Sequence, residues 1–153
     1  MNTPNLRAFL YDSKEHNLEQ LVHNIQECFE EGIGASVIDL AQPKHIVDQS
    51  IVTIDPDEVV TPDSSYRRDL AIFETPRLSV VSLTSGTTSK PKAVVHNRYS
   101  LRHAVVAIEQ VLELEKDDTW LLCLSPQYIA GTAIIARAFL LEQKIYSSLS
   151  RWI

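Results

Sequence analysis

Between Leu78 and His96, two apolar, β-branched runs enclose a polar stretch containing glycine and proline. No other part of the chain constrains the fold as much. Leu78-Ser79-Val80-Val81-Ser82-Leu83 alternates apolar with small polar residues, Val81 being the one exception, and predicts a strand. Ala93-Val94-Val95-His96 predicts a second. The residues between them carry Ser and Thr hydroxyls, a glycine and two lysines. Hydroxyls and free backbone N–H groups donate hydrogen bonds, lysine adds positive charge, and glycine admits close backbone approach. Such an inventory suits a polyphosphate. A Walker A loop is excluded, because it needs Gly-x4-Gly-Lys-Ser/Thr leading straight into a helix. Counting from Gly86, Pro91 takes the second glycine position, Ala93 replaces the magnesium-binding hydroxyl, and a strand follows. The prediction is strand, loop, strand.

Thr84-Ser85-Gly86-Thr87-Thr88-x-x-Pro91-Lys92-x-Val94 resembles the phosphate loop of the adenylate-forming superfamily: acyl- and aryl-CoA ligases, peptide-synthetase adenylation domains and luciferases. Downstream lies Trp120-Leu121-Leu122-Cys123-Leu124-Ser125-Pro126-Gln127-Tyr128-Ile129-Ala130-Gly131, followed by Arg137. It is similar to the superfamily's next segment, a strand ending in proline and a helix opening near glycine. Within the superfamily it is most similar to the o-succinylbenzoate–CoA ligases of menaquinone synthesis. The likeness runs from about Leu78 to Tyr146. Ser89 and Ala93 depart from it, standing where glycine or another small residue is usual. Tyr128 stands where many members carry His, although the o-succinylbenzoate branch tolerates Tyr.

The resemblance implies an α/β fold, the N-terminal portion of the large domain of an adenylate-forming enzyme, with the phosphate loop between two strands. It implies ATP, Mg2+ and coenzyme A as cofactors and a small carboxylic acid as substrate. Carried over position by position, Thr84, Ser85, Gly86, Thr87, Thr88 and Lys92 bind the ATP phosphates, and Lys92 supplies catalytic charge. Tyr128 and Gly131 line the acid site. The implied reaction is attack of a carboxylate on the α-phosphate, giving an acyl-adenylate and pyrophosphate, after which the coenzyme A thiol displaces AMP. Donors fixed around the leaving pyrophosphate stabilise its growing charge. An adenylation domain loading a carrier protein shares these motifs. Outside enzymes, the alternative is a nucleotide-binding or scaffold module without catalysis. Superfamily members are several times longer than 153 residues, so a truncated chain or one piece of a larger product is expected, not competent alone.

Each residue also has a plainer reading. The loop residues populate ordinary hairpin turns, Lys92 suits a solvated strand start, and Tyr128 suits a core edge. Arg137 is expected to make a structural ion pair on a helix. His96 and His103 lack ligand spacing, so no metal site is expected. The formal net charge of -6 argues against nucleic acid, which requires clustered basic residues. Cys28 and Cys123 read as buried free thiols of a reducing compartment. The N-terminus lacks a leader pattern and no run is apolar enough to span a membrane, which together give a cytoplasmic reading.

Along the chain, Lys14 to Glu31 places Leu18, Leu21, Val22, Ile25, Cys28 and Phe29 on one helical face, with Ser13 as cap and Gly32 or Gly34 as stop. Ala35–Leu40 and Gln49–Ile54 are expected to be strands, and Asp55–Asp69 a solvated connector. A soft boundary then divides residues 1–68 from a phosphate-loop unit at 69–153. Within that unit a helix is expected over Tyr99–Leu114, with a solvated acidic end at Glu113–Asp118. A strand over Thr119–Leu124 and a helix from Tyr128 or Ile129 to about Leu141 follow. A partial sheet has unpaired edges, which predicts self-association or a missing second half.

Overall fold

Alternation along β1 (Leu6–Tyr11) sends Phe9 and Tyr11 into one core and Leu6 and Ala8 into another, so its sheet is covered on both faces. The computed structural model describes residues 5–14, 18–61, 65–67, 79–84 and 91–147. After β1 come α1 (Leu18–Glu31), β2 (Gly34–Asp39), α2 (Lys44–Ile54), β3 (Glu58–Val60) and β4 (Ser65–Arg67). Then follow β5 (Ser79–Thr84), β6 (Lys92–Asn97), α3 (Arg98–Leu112), β7 (Thr119–Leu122), α4 (Ile129–Leu141) and β8 (Lys144–Ser147). Six strands form one sheet in the order β4-β3-β1-β2-β5-β6. β3, β1, β2 and β5 run parallel, while β4 and β6 are antiparallel to their neighbours. β7 and β8 form a separate parallel pair.

The chain steps from β1 to β2 on one side and then returns past β1 to reach β3. With right-handed crossovers, such a reversal puts the connecting helices on opposite faces. Accordingly, α1 packs with α3, α4 and β7 against Phe9, Val37 and Val80, while α2 packs against Leu6, Ala8, Ile38 and Val81. The expected apolar face of α1 is buried in full: Leu18, Leu21, Val22, Ile25, Cys28 and Phe29. Gly32, at φ 73°, ends the helix as expected, in the left-handed region that glycine adopts without a Cβ penalty. Helix α1 is described only from Leu18, so the Ser13 cap reading reaches residues 15–17, outside the described ones.

Several expectations are corrected. Gln49–Ile54 is not a strand but the second half of α2, whose buried positions Val47, Ser50 and Ile54 recur at helical spacing. Asp55–Asp69 is more than connector, because β3 pairs with β1 and β4 with β3. β1 itself lies in a stretch where no strand was expected. Cys28 is buried, but Cys123 is exposed just past the end of β7. β2 pairs directly to β5.

Candidate functional site

Strand β5 rises from the core to the surface: Ser79 to Ser82 are buried, Leu83 is half-buried and Thr84 is exposed. It pairs with β6 from Ser79↔Asn97 to Thr84↔Lys92, so the predicted hairpin is present and opens at that last pair. Thr84 and Lys92 therefore face one another at the mouth. The Thr84 hydroxyl donates to the Lys92 carbonyl at 3.5 Å, and both residues are exposed. An exposed ammonium and hydroxyl at a hairpin mouth fit an anionic ligand. Ser85, Gly86, Thr87, Thr88 and Ser89 lie outside the described residues. Beneath the mouth, buried Ser82 Oγ lies 3.4 Å from His96 Nε2, which links the two strands across the sheet face. β6 passes directly into α3, where the Asn97 side chain accepts from the Ser100 N–H at 3.0 Å and caps the helix.

The second predicted group lies on α4. Tyr128 is its N-cap residue, with the side chain 54% exposed and the backbone carbonyl accepting from Gly131 and Thr132. Gly131 is buried against the preceding turn: a Cβ there would stand 2.3 Å from the Ser125 carbonyl oxygen and 2.7 Å from that of Leu124. Helix and turn thus approach too closely for any side chain, which is itself a reason for glycine at 131. Gly131 and Arg137 lie on different faces of the helix. Ala130, Ala133 and Arg137 share the less buried one.

Arg137 does not make the expected ion pair. Its guanidinium lies over the Trp120 ring, with Cζ 5.8 Å from the centroid. Its Nε is buried without a hydrogen-bond partner, and no carboxylate among the described residues pairs with it. Burial pulls the guanidinium below its ordinary pKa. Trp120 Nε1 donates to Gln143 Oε1 at 2.6 Å, and Gln143 Nε2 donates in turn to the Glu115 carbonyl. Sequence reasoning missed this group, although one signal was available: Arg137 is the one charged residue in the apolar run Ile129–Leu141.

Open α/β sheets commonly bind ligands where strand order reverses, outside the carboxyl ends of the strands. Here the order β3-β1-β2 puts that point between β1 and β3, and the neighbouring gap between β1 and β2 is stapled shut. Asp39 Oδ1 accepts from the Ala41 N–H at 2.9 Å and the Ser13 N–H at 3.3 Å, and Leu40 N–H donates to Tyr11 O at 2.8 Å. Gln127 Oε1 then accepts from the Asp39 N–H at 2.8 Å. Burial, with the carboxylates of Asp39 and Asp12 beside it, pushes the Tyr11 phenol up. An open cleft of about 590 Å³ between α1 and α4, bordered by His23, Glu27, Arg98 and Phe139, contains none of the predicted site residues. Among the described residues no three His, Cys, Asp or Glu side chains converge. No helix among them is long and apolar enough to cross a membrane.

The doubly wound sheet with an antiparallel hairpin at its edge defines the fold, and comparison with known proteins agrees with it. The sequence pattern of the AMP-binding enzyme family matches residues 7–147. The chain belongs to that family. No curated protein sequence matches it. Among solved structures, o-succinylbenzoate coenzyme A synthetase (MenE) from Bacillus subtilis in complex with AMP superposes with a TM-score of 0.75. That match is at 17% identity and covers 97% of this chain and 44% of that one. The same enzyme in complex with ATP and magnesium ion gives 0.72 at 16% identity, covering 95% and 34%. VinN gives 0.67 at 18%, covering 93% and 43%. At such identities the likeness is one of fold, that of the N-terminal part of the family's large domain. The chain spans less than half the length of these structures.

Proposed function

We propose that this chain forms the phosphate-handling part of an ATP-dependent acid–thiol ligase. In that reaction a carboxylate and ATP give an acyl-adenylate and pyrophosphate, and coenzyme A then takes the acyl group. The observation that carries the reading is the hairpin mouth, where Thr84 and Lys92 meet in register on strands that flank the Thr84–Lys92 motif. Lys92 would hold negative charge on the β- and γ-phosphates as the bridging bond breaks, and Thr84 would donate beside it. Ser85, Gly86, Thr87 and Thr88 would complete the cradle. Tyr128 would border the acid, and Gly131 would bring the Ser125 turn against the start of α4.

The favoured acid is o-succinylbenzoate. Adenylation consumes one of its two carboxylates and leaves the other charged, and a remaining carboxylate needs a cation. Arg137, charged and unpaired over an aromatic ring, suits that group. Two cysteines without a bridge accord with a cytoplasmic setting.

Calorimetric titration with ATP tests the reading. Lys92→Ala should weaken binding by ~1–3 kcal/mol, the scale of a lost charge-assisted contact. Equal affinity in both proteins would refute the role given to Lys92. Pyrophosphate exchange that depends on o-succinylbenzoate would support the ligase and its acid. ATP binding without exchange would favour a binding module.

A further inference from the structure

Arg137 holds a costly position. Its Nε is buried without a partner, and the nearest compensation is the face of Trp120. A cation over an aromatic ring is attracted to its face, but only while the ring keeps its place. Trp120 sits on β7, a four-residue strand of a two-stranded sheet, and such small sheets are marginal by themselves. Its indole is nevertheless held through its N–H. The ring edge donates to Gln143 Oε1 at 2.6 Å, and Gln143 is held from its other end by the Glu115 carbonyl. Gln143 stands in the turn between α4 and β8, and Glu115 in the turn between α3 and β7. One side chain thus clamps both turns and the indole between them.

We propose that Gln143 is a positioning residue: through Trp120 it holds the Arg137 guanidinium unpaired and aimed at a substrate carboxylate. The proposal rests on the ligase reading above and adds a device that sets acid affinity. Within this group the indole N–H and both amide atoms of Gln143 are used, and the guanidinium Nε is left without a partner. A network in which each member but one is satisfied directs its remaining donors outward, toward a ligand that accepts. The class of ligand follows from the donor: Arg presents planar N–H forks that match a carboxylate.

The test uses the full chain carrying Trp152→Phe, which leaves Trp120 as the one indole of the two, with 15N-labelled arginine and tryptophan. In the free protein, the Arg137 Nε–Hε resonance carries the ring-current shift of Trp120. Gln143→Leu should move it toward its position in a Trp120→Leu protein. A purely structural loss would lower the melting temperature without moving that resonance. Titrated o-succinylbenzoate should then shift the Trp120 indole resonance saturably, and Gln143→Leu should weaken that binding about fivefold, the scale of one neutral hydrogen bond. An Arg137 resonance or an acid affinity unmoved by Gln143→Leu overturns the proposal. If o-succinylbenzoate does not bind, the same titration with benzoate decides. Benzoate binding that depends on Gln143 keeps the positioning role and removes the favoured acid, whereas no binding of either carboxylate overturns the proposal. The ATP titration judges the nucleotide site separately in every case.

Discussion

Replacing Gly131 by alanine sets two opposed effects against each other at one position, and the structure decides the sign. Gly131 lies in the first turn of α4 without a positive φ, so helix propensity alone favours alanine by ~1 kcal/mol. The added Cβ, however, would stand 2.3 Å from the Ser125 carbonyl oxygen, 2.5 Å from the Ser125 carbonyl carbon and 2.7 Å from the Leu124 oxygen. All three are backbone atoms and cannot swing aside as a side-chain end would. The turn at Leu124–Ser125 must retreat by most of an ångström, or the helix start must lift, and such overpacking costs ~1–3 kcal/mol or more. The steric cost exceeds the propensity gain, so Gly131→Ala should destabilise the chain by a net ~1–2 kcal/mol. Urea unfolding monitored by circular dichroism reads this directly as a lower midpoint at unchanged slope. A higher midpoint would refute the reasoning, because it would mean that α4 and the Ser125 turn are not in this contact. In that case acid lining would be the remaining reason for a glycine at 131.

Three further outcomes follow from contacts elsewhere in the fold. Burial pushes the Cys28 thiol up to about 11 from 9.0, against the opposing effect of the Arg7 hydrogen bond, so the unfolded chain ionises first as pH rises. Stability from this group is intact below about pH 9 and lost as pH rises through about 11, by at most ~3 kcal/mol. Urea midpoints of wild type should therefore fall more steeply than those of Cys28→Ala across that window, and parallel curves would contradict it. Asp39→Ala strips the acceptor from the Ser13 and Ala41 N–H groups and should cost ~1–2 kcal/mol. Faster hydrogen exchange at those two amides is the signature, and unchanged exchange would count against the staple. Asn97→Ala removes the α3 cap and should cost ~1 kcal/mol, most of it restored by Asn97→Ser in thermal melts.

How much of this was legible in the sequence depended on where local and tertiary preferences agreed. The β5–β6 hairpin could be read because two β-branched runs flank a turn-forming stretch, and α1, α3 and α4 because their apolar residues recur over three turns or more. Gln49–Ile54 misled because a short apolar run does not distinguish helix from strand. Extending the window back to Lys44 exposes the spacing of Val47, Ser50 and Ile54, in which a buried serine disguises the face. β3 and β4 are three residues each, and their pairing with β1 outweighs the Asp- and Pro-rich surroundings that argued for loop. Cys123 follows Leu122, the last inward residue of β7, so the strand's own alternation turns it outward. Arg137 was the deeper miss. Its charge was visible, but the indole beneath it comes from a strand seventeen positions earlier, and only packing brings them together.

The staple at Asp39 bears on which part of the sheet's carboxyl edge is accessible to a ligand. Loops at the carboxyl ends of neighbouring strands must stay apart if a ligand is to enter between them. In this chain the loops after β1 and β2 are drawn together by one carboxylate, and their backbone donors, the groups that would meet an anion, are spent on it. Gln127 anchors the same loop to the segment that leads into α4, so the closed gap also ties down the start of that helix. The Thr84↔Lys92 pair lies apart from that staple, at the end of an antiparallel strand pair that carries both residues exposed. If Asp39→Ala loosens the Gln127 segment, changes at Tyr128 and Gly131 should appear in exchange before any at Thr84 or Lys92, because the former share its hydrogen-bond path and the latter do not.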